Sequence, residues 1–219
     1  MAILMTGLCE KGVELIWKQC NEELYPQGIE YLEEAAHAGD AEGWFFLGNC
    51  YSWGDGAVGF SDKKAYECYK KGIEGGSVRC VLGAARAGQF DEELKKVSPC
   101  TLEESYRGVL QSAEEGDAFS AFQIAAAYEW ETIFDLLQPE EQKRENCYKW
   151  YEKAAKGGIV SAMVKVGKCC LNGQYVPKNE EMALKWADRC AALGNAWGLY
   201  RMGLHHLNLG NMEAAWEYF

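Results

Sequence analysis

The chain has 219 residues, a length that suits one or two domains, and it is 48% hydrophobic and 25% charged, the usage of a folded protein and not of a disordered one. Nowhere do 18 apolar residues run together, so no segment qualifies as a membrane-crossing helix. Its 22 basic and 33 acidic residues leave a net charge of −11, and a chain this acidic is repelled by phosphate backbones and anionic lipid, which argues against nucleic-acid or membrane-surface partners.

The elements follow from a small-and-large residue code that recurs along the chain. Alanine-rich stretches close on Gly39, Gly76, Gly116, Gly158 and Gly194, spaced by 37, 40, 42 and 36 residues. Four residues past each glycine stand Gly43, Cys80, Ser120, Ala162 and Gly198, and nine past stand Gly48, Ala85, Ala125, Gly167 and Gly203, all small. Six past stand Phe45, Leu82, Phe122, Val164 and Tyr200, all large. Eleven before each glycine the row is small again (Gly28, Ala65, Ser105, Cys147, Ala183), as it is four before (Ala35, Gly72, Ser112, Ala154, Cys190). Ten before, it is large: Ile29, Tyr66, Tyr106, Tyr148 and Leu184. Two helices approach closely only where a small row on one meets a large row on the other, so the code predicts stacked helix pairs. Runs of alternating β-branched residues are nearly absent, and the class is all-α.

In chain order, helices are predicted over 25–38, 41–53, 62–74, 77–87, 102–115, 118–131, 140–156, 160–171, 179–193 and 196–208. Those beginning at 41, 77, 118, 160 and 196 are the first of each pair (A), and the others are the second (B). The code reaches back to residue 3 less cleanly, with Gly7 and Gly12 at small positions but Lys11 at an apolar one. The stretch 88–100 departs from the pattern and contains Pro99, while 129–139 carries Ile133, Phe134, Leu136 and Leu137, expected to extend the preceding helix A. Ala215–Phe219 opens a further helix B, leaving an apolar repeat face without a cap and an expectation of end-to-end association through 196–219. Trp150 is expected between repeats. Residues 1–219 then form one array, with repeats at about 3–39, 40–76, 77–116, 117–158 and 159–194 and a partial one at 195–219.

Within this array, Leu47-Gly48-Asn49-Cys50-Tyr51 followed by Gly54-Asp55-Gly56 and Lys64-Ala65-Tyr66 resembles the Sel-1-like repeat, a relative of the tetratricopeptide repeat. Val166-Gly167-Lys168, Leu171-Asn172-Gly173, Ala183-Leu184-Lys185-Trp186 and Tyr148-Lys149-Trp150-Tyr151-Glu152-Lys153-Ala154-Ala155 resemble it in the same phase. The resemblance implies an α-solenoid, a right-handed superhelix of antiparallel helix pairs, acting as an adaptor or scaffold with helix A on its concave side. Stacking repeats also favours a long surface suited to a peptide or a partner's edge over a single deep pocket.

Positions three, seven and ten past each glycine lie off the packing code and are candidates to line that side. They include Asn49, Arg79, Arg86, Gln123, Lys165, Lys168, Trp197 and Arg201. Basic residues outnumber acidic ones on the A helices, five (Arg79, Arg86, Lys165, Lys168, Arg201) against three (Glu42, Glu129, Glu131). They read either as a basic inner stripe that steers an acidic peptide or a free carboxylate, or as solvated surface charge. Trp44, Phe46 and Trp197 read either as aromatic anchors or as packing between repeats.

No catalytic motif is present: no phosphate loop, no His-Glu-x-x-His helix and no nucleophile elbow. The chain is therefore expected to be no enzyme and to need no cofactor. Cys169-Cys170 and His205-His206 occupy equivalent places in adjacent repeats, but no Cys-x-x-Cys spacing accompanies them, and core filling is preferred to metal binding. The first residues, Met1-Ala-Ile-Leu-Met-Thr-Gly7, carry no basic run of a secretory leader, so the ten cysteines are expected to be reduced in a cytoplasmic setting. The alternative is a secreted or periplasmic cysteine-rich repeat protein with an envelope role. In that branch of the family, cysteines about eight residues apart staple helix B to the next helix A. Here the partners of Cys190 and Cys80 at that spacing are Gly198 and Gly72, so no pair is complete.

Overall fold

A computed structural model of the chain describes residues 3, 5–19, 21–129 and 140–219; of 140–145 it describes the helical backbone alone. Among the described residues there are thirteen α-helices and no strand. They are α1 (Gly7–Val13), α2 (Tyr25–His37), α3 (Ala41–Trp53), α4 (Asp62–Glu74), α5 (Val78–Arg86), α6 (Glu92–Val97), α7 (Leu102–Glu115), α8 (Ala118–Glu129), α9 (Glu140–Lys156), α10 (Val160–Asn172), α11 (Glu180–Ala192), α12 (Ala196–Asn208) and α13 (Met212–Tyr218). A π-turn, Glu14–Lys18, continues α1, and a 3-10 turn, Glu22–Leu24, leads into α2. The predicted helices fall on these with ends shifted by a residue or two; the expected extension of α8 over 130–139 lies outside the described residues. The fold is an α-solenoid in which each helix packs chiefly on its neighbours in the chain.

Polar side chains start the helices. Asp40, Ser77, Asp117 and Asn195 each accept an N–H from the first turn of α3, α5, α8 and α12, while Ile159 opens α10 without a side-chain cap. Thr101 and Glu104 cap α7 reciprocally. At the other end, Gly116 closes α7 with φ +114°, a conformation only glycine adopts without strain.

The small rows are buried throughout, apart from half-buried Ala85. A Cβ on Gly43 would lie 2.8 Å from the Ala36 backbone nitrogen and 2.9 Å from the Leu32 carbonyl, so α3 lies directly on the backbone of α2. Against Gly48 lies the ring of Tyr69, which is fully buried and whose hydroxyl is 3.1 Å from Ser52 Oγ. A further buried row stands seven before each closing glycine: Leu32, Tyr69, Val109, Tyr151 and Ala187. Trp150, expected between repeats, is only half-buried, with the Lys153 ammonium 5.3 Å from its ring, because the neighbouring Tyr151 takes the inward position.

The irregular second repeat has a physical cause. Gly88 turns the chain after only nine residues of α5, and the short helix α6 follows. Fully buried Leu94 holds α6 in the core, while Tyr66 donates to Asp91 at 3.2 Å and Lys70 pairs with Glu93.

Helices A from non-adjacent repeats meet on one side of the array. Phe46 of α3 and Phe119 of α8 are 4.8 Å apart between ring centroids, two repeats removed, and Trp17 of the π-turn sits 5.4 and 5.2 Å from them. Such contacts form only on the inner side of a curved stack. Trp17, 4% exposed and donating its indole N–H to Asp55 at 3.1 Å, therefore plugs the inner side near the first repeats.

Candidate binding cleft

The same inner side places the sequence-predicted residues in three different environments. Arg79 is fully buried. Its guanidinium pairs with Asp117, donates to Ser120 Oγ at 2.8 Å, and lies 3.6 Å from Glu42 and 5.7 Å from the ring centres of Phe45 and Phe46. Ser77 donates to Glu42 at 2.6 Å, and Gln123, also fully buried, donates to the Arg79 carbonyl at 3.2 Å. Burial raises the Glu42 carboxyl above its ordinary 4.5, against the opposing pull of Arg79. These side chains join the starts of α3, α5 and α8 and are not surface groups.

A second set lines an open cleft of about 190 Å³ further along the inner side. Asn49 and Trp53 of α3, Asp55, Arg86 of α5, Phe122 and Glu129 of α8, Tyr151 of α9 and Ser161 and Lys165 of α10 all line it. Lys165 donates to both oxygens of Glu129 at 2.8 Å, and Tyr151 adds a 2.6 Å hydrogen bond to the same carboxylate. Burial, and then this bond to Glu129, push the Tyr151 hydroxyl far up, so it acts as a donor. Asp55 is raised by burial and accepts from Trp17. Asn49, 3% exposed, is itself turned onto the Phe45 carbonyl at 3.2 Å.

Arg86 is the exception. Its guanidinium centre lies 5.3 Å from the Trp53 ring, its Nε is buried without a hydrogen-bond partner, and no described carboxylate lies within ion-pair distance of it. Burial lowers its pKa, against the opposing pull of Tyr69, Tyr151 and the Asp55 carboxylate.

The remaining predicted residues stand apart. Lys168 is exposed outside the cleft, and Trp197 and Arg201 of α12 are half-buried beyond it, with the Trp197 ring laid over Gly167. The five basic side chains thus form no continuous stripe. Trp44 packs between His37 (5.1 Å) and the Lys71 ammonium (4.2 Å), and Phe46 is fully buried. Cys170 lies 3.6 Å from the Tyr148 hydroxyl and His206 stacks on Tyr218 at 5.5 Å, so each of these has a packing role. Among the described residues, no three His, Cys, Asp or Glu side chains are placed to hold a metal ion.

The fold and its repeated helix pairs agree with the comparisons. The Sel1 repeat family matches residues 23–40, 42–77, 137–159 and 160–195, just over half of the chain, and the chain belongs to that family. Proteins built from this repeat generally act as protein-interaction scaffolds. A Sel1 repeat protein from Oxalobacter formigenes is 18% identical over 91% of this chain and 84% of its own, with a TM-score of 0.52, a likeness of fold. The protective antigen c5321 of uropathogenic Escherichia coli, which displays an SLR fold, is 20% identical over 91% of this chain and 51% of its own, with a TM-score of 0.34. No curated protein matches.

Proposed function

We propose that the chain is a non-enzymatic interaction module that docks a peptide or protein segment in the cleft between α3, α5, α8 and α10. The supporting observation is the division of the inner side. Trp17, Phe46, Phe119 and the Arg79 cluster fill one part of it, while the cleft stays open and presents aromatic rings beside polar groups. Aromatic and arginine side chains in a recess are the groups that anchor partners. An acidic partner suits the cleft, and a cytoplasmic setting suits the described cysteines, all but one of which are buried.

The test uses Ser161→Trp. Ser161 is exposed and lines the cleft, so an indole there occupies the space without entering the core. Proteins captured from lysate of the source organism by wild type should be lost by this variant and kept by Lys168→Glu, which lies outside. Capture unaffected by Ser161→Trp would move the docking face elsewhere.

The far end carries a separate proposal of end-to-end self-association. Leu209 (68% exposed) just after α12, Met212 (56%) and Trp216 (74%) on α13 and Phe219 (63%) just after it are exposed apolar side chains within eleven residues of one another. Light scattering should show mass rising with concentration, and Leu209→Ser/Trp216→Ser should abolish the rise. A strict monomer at every concentration would contradict it.

A further inference from the structure

The hairpin of α12 and α13 exposes one apolar side, and its composition says what covers it. Tyr200, Leu204 and Leu207 follow one another by four and three residues and share a face of α12, as Met212 and Trp216 share one of α13. The two helices pack antiparallel, and the Tyr200 and Phe219 rings, 6.4 Å apart, join the two rows. Phe219 lies over Gly203 as Tyr69 lies over Gly48, and Tyr200 holds the repeat position of Phe45. Phe45 and Tyr69 are fully buried because α5 backs onto both: a Cβ on its Gly83 would lie 2.9 Å from the Tyr69 ring and 3.2 Å from that of Phe45. Tyr200 and Phe219 present the same pair of rings while 55% and 63% exposed. The face is of the kind this fold buries against further helices.

We propose that two copies of the chain pair through this face about a two-fold axis parallel to the helices, α12 of each on α13 of the other, into a closed dimer. This rests on the self-association reading above and assigns its partner surface and symmetry. Charge sets the arrangement. Gly203, under the Phe219 ring, and Ala215, 3% exposed, mark the inner flanks where the two helices of the hairpin meet. At 100° per residue, Arg201 and His205 then fall on the outer edge of α12, and Glu213 and Glu217 on the outer edge of α13. The two-fold brings the basic edge of each copy to the acidic edge of the other, so that Arg201 and Glu217 oppose one another twice. Area supports it as well. Three rings of about 150–250 Å² each, all more than half exposed, put on the order of 300–500 Å² of aromatic surface on the face before Leu207 and Met212 are added. A standard interface takes about 800 Å² from each partner, about 65% of it apolar in homodimers. Residues 195–219 hold one arginine and two glutamates, a net −1 against −10 for the remainder, so two chains of −11 repel least at this end. A head-to-tail stack would instead set the apolar face on the α1 and α2 end. Among the described residues up to 40, no large apolar side chain is exposed there, while Glu10, Lys11, Glu14, Glu30 and Glu33 are.

Pairing at this end has a functional consequence. The inner cleft is lined by residues of α3, α5, α8, α9 and α10, with Asp55, and none of these belongs to the paired face. Each copy keeps its own cleft, so the dimer is a bivalent scaffold, with avidity for a partner that carries two docking segments.

Sedimentation equilibrium of the full-length chain reads its mass across a wide range of concentration. The expected result is a rise from 24.5 kDa to a plateau at twice that value. Trp216→Ser, at a side chain 74% exposed, should weaken pairing about tenfold or more and leave the helix content seen by circular dichroism unchanged. Arg201→Glu and Glu217→Arg each set like charges against one another at two places and should each weaken pairing by a similar factor. An equimolar mixture of these two variants should pair again, because every Arg201–Glu217 contact across a mixed dimer then opposes unlike charges. Arg201 is half-buried, so Arg201→Gln serves in the mixture should Arg201→Glu fail to fold, with partial recovery expected.

A mass that keeps growing past the dimer would overturn the two-fold arrangement and leave self-association standing. So would a dimer that Trp216→Ser does not weaken, by placing its interface elsewhere. Charge variants that pair no better mixed than alone would overturn the placing of α12 on α13. A monomer at every concentration would overturn both this inference and the self-association reading.

Discussion

Arg79 and Arg86 stand at opposite ends of the nine-residue helix α5 and in opposite circumstances. Arg79 holds three helix starts together, so Arg79→Met strands Glu42 and Asp117 and should cost about 3–5 kcal/mol in urea unfolding. The pH dependence has a definite sign. Glu42 titrates above 4.5 when folded, so the folded chain keeps a proton that the unfolded chain has released, and stability falls as pH rises through that window. Removing the Arg79 charge, which holds the shift down, should widen the window. The variant should therefore lose more stability than wild type as pH rises above 4.5. A flat difference between the two proteins across this range would show that Glu42 is not the responsive group. Both arginines were named from offset arithmetic, which locates a side chain on a helix face. It cannot separate a buried ion cluster from an open cleft, because that distinction depends on Glu42, Asp117 and Trp53 arriving from other repeats.

At the scale of elements, the size code was the legible part, because it records close approach directly. Gly43 illustrates this: a methyl group there would meet backbone atoms of α2, which cannot move aside, so Gly43→Ala should lower stability by about 1–3 kcal/mol. The N-terminal turn was less legible. Its repeat code is broken at Lys11, and nothing local to Glu14–Lys18 says that Trp17 will cross to Phe46 and Phe119. Trp17→Ala removes the plug from that aromatic cluster and should cost about 3–5 kcal/mol, read from thermal or urea unfolding. A loss under about 1 kcal/mol would place Trp17 outside the core. Helix α6 was missed for a similar reason, since its place is fixed by Leu94 and by pairing with α4, not by periodicity over six residues. Tyr151, the cleft residue contributed by a B helix, had a signal available in the buried row that includes Leu32, Tyr69 and Val109.

At the scale of the molecule, the described cysteines are dispersed through the core, and burial pushes the thiols of Cys68 and Cys169 up to about 11 and Cys147 to about 12. Such thiols react slowly while the chain is folded. A reduced protein should titrate ten thiols when denatured without reductant, and far fewer would favour the secreted, cysteine-stapled alternative. The solenoid itself was readable because repeats multiply one weak signal. The curvature that brings helices A together was not, since it sums small rotations that no single repeat encodes.

The central claim is that partners enter on the inner side, in the cleft of α3, α5, α8 and α10. Hydrogen–deuterium exchange of the chain with and without a captured partner tests it most directly. The account predicts slowed exchange at the ends of α3, α5 and α8 and along α10, absent in Ser161→Trp. Protection confined to the B helices or to the apolar end at α12 and α13 would contradict it.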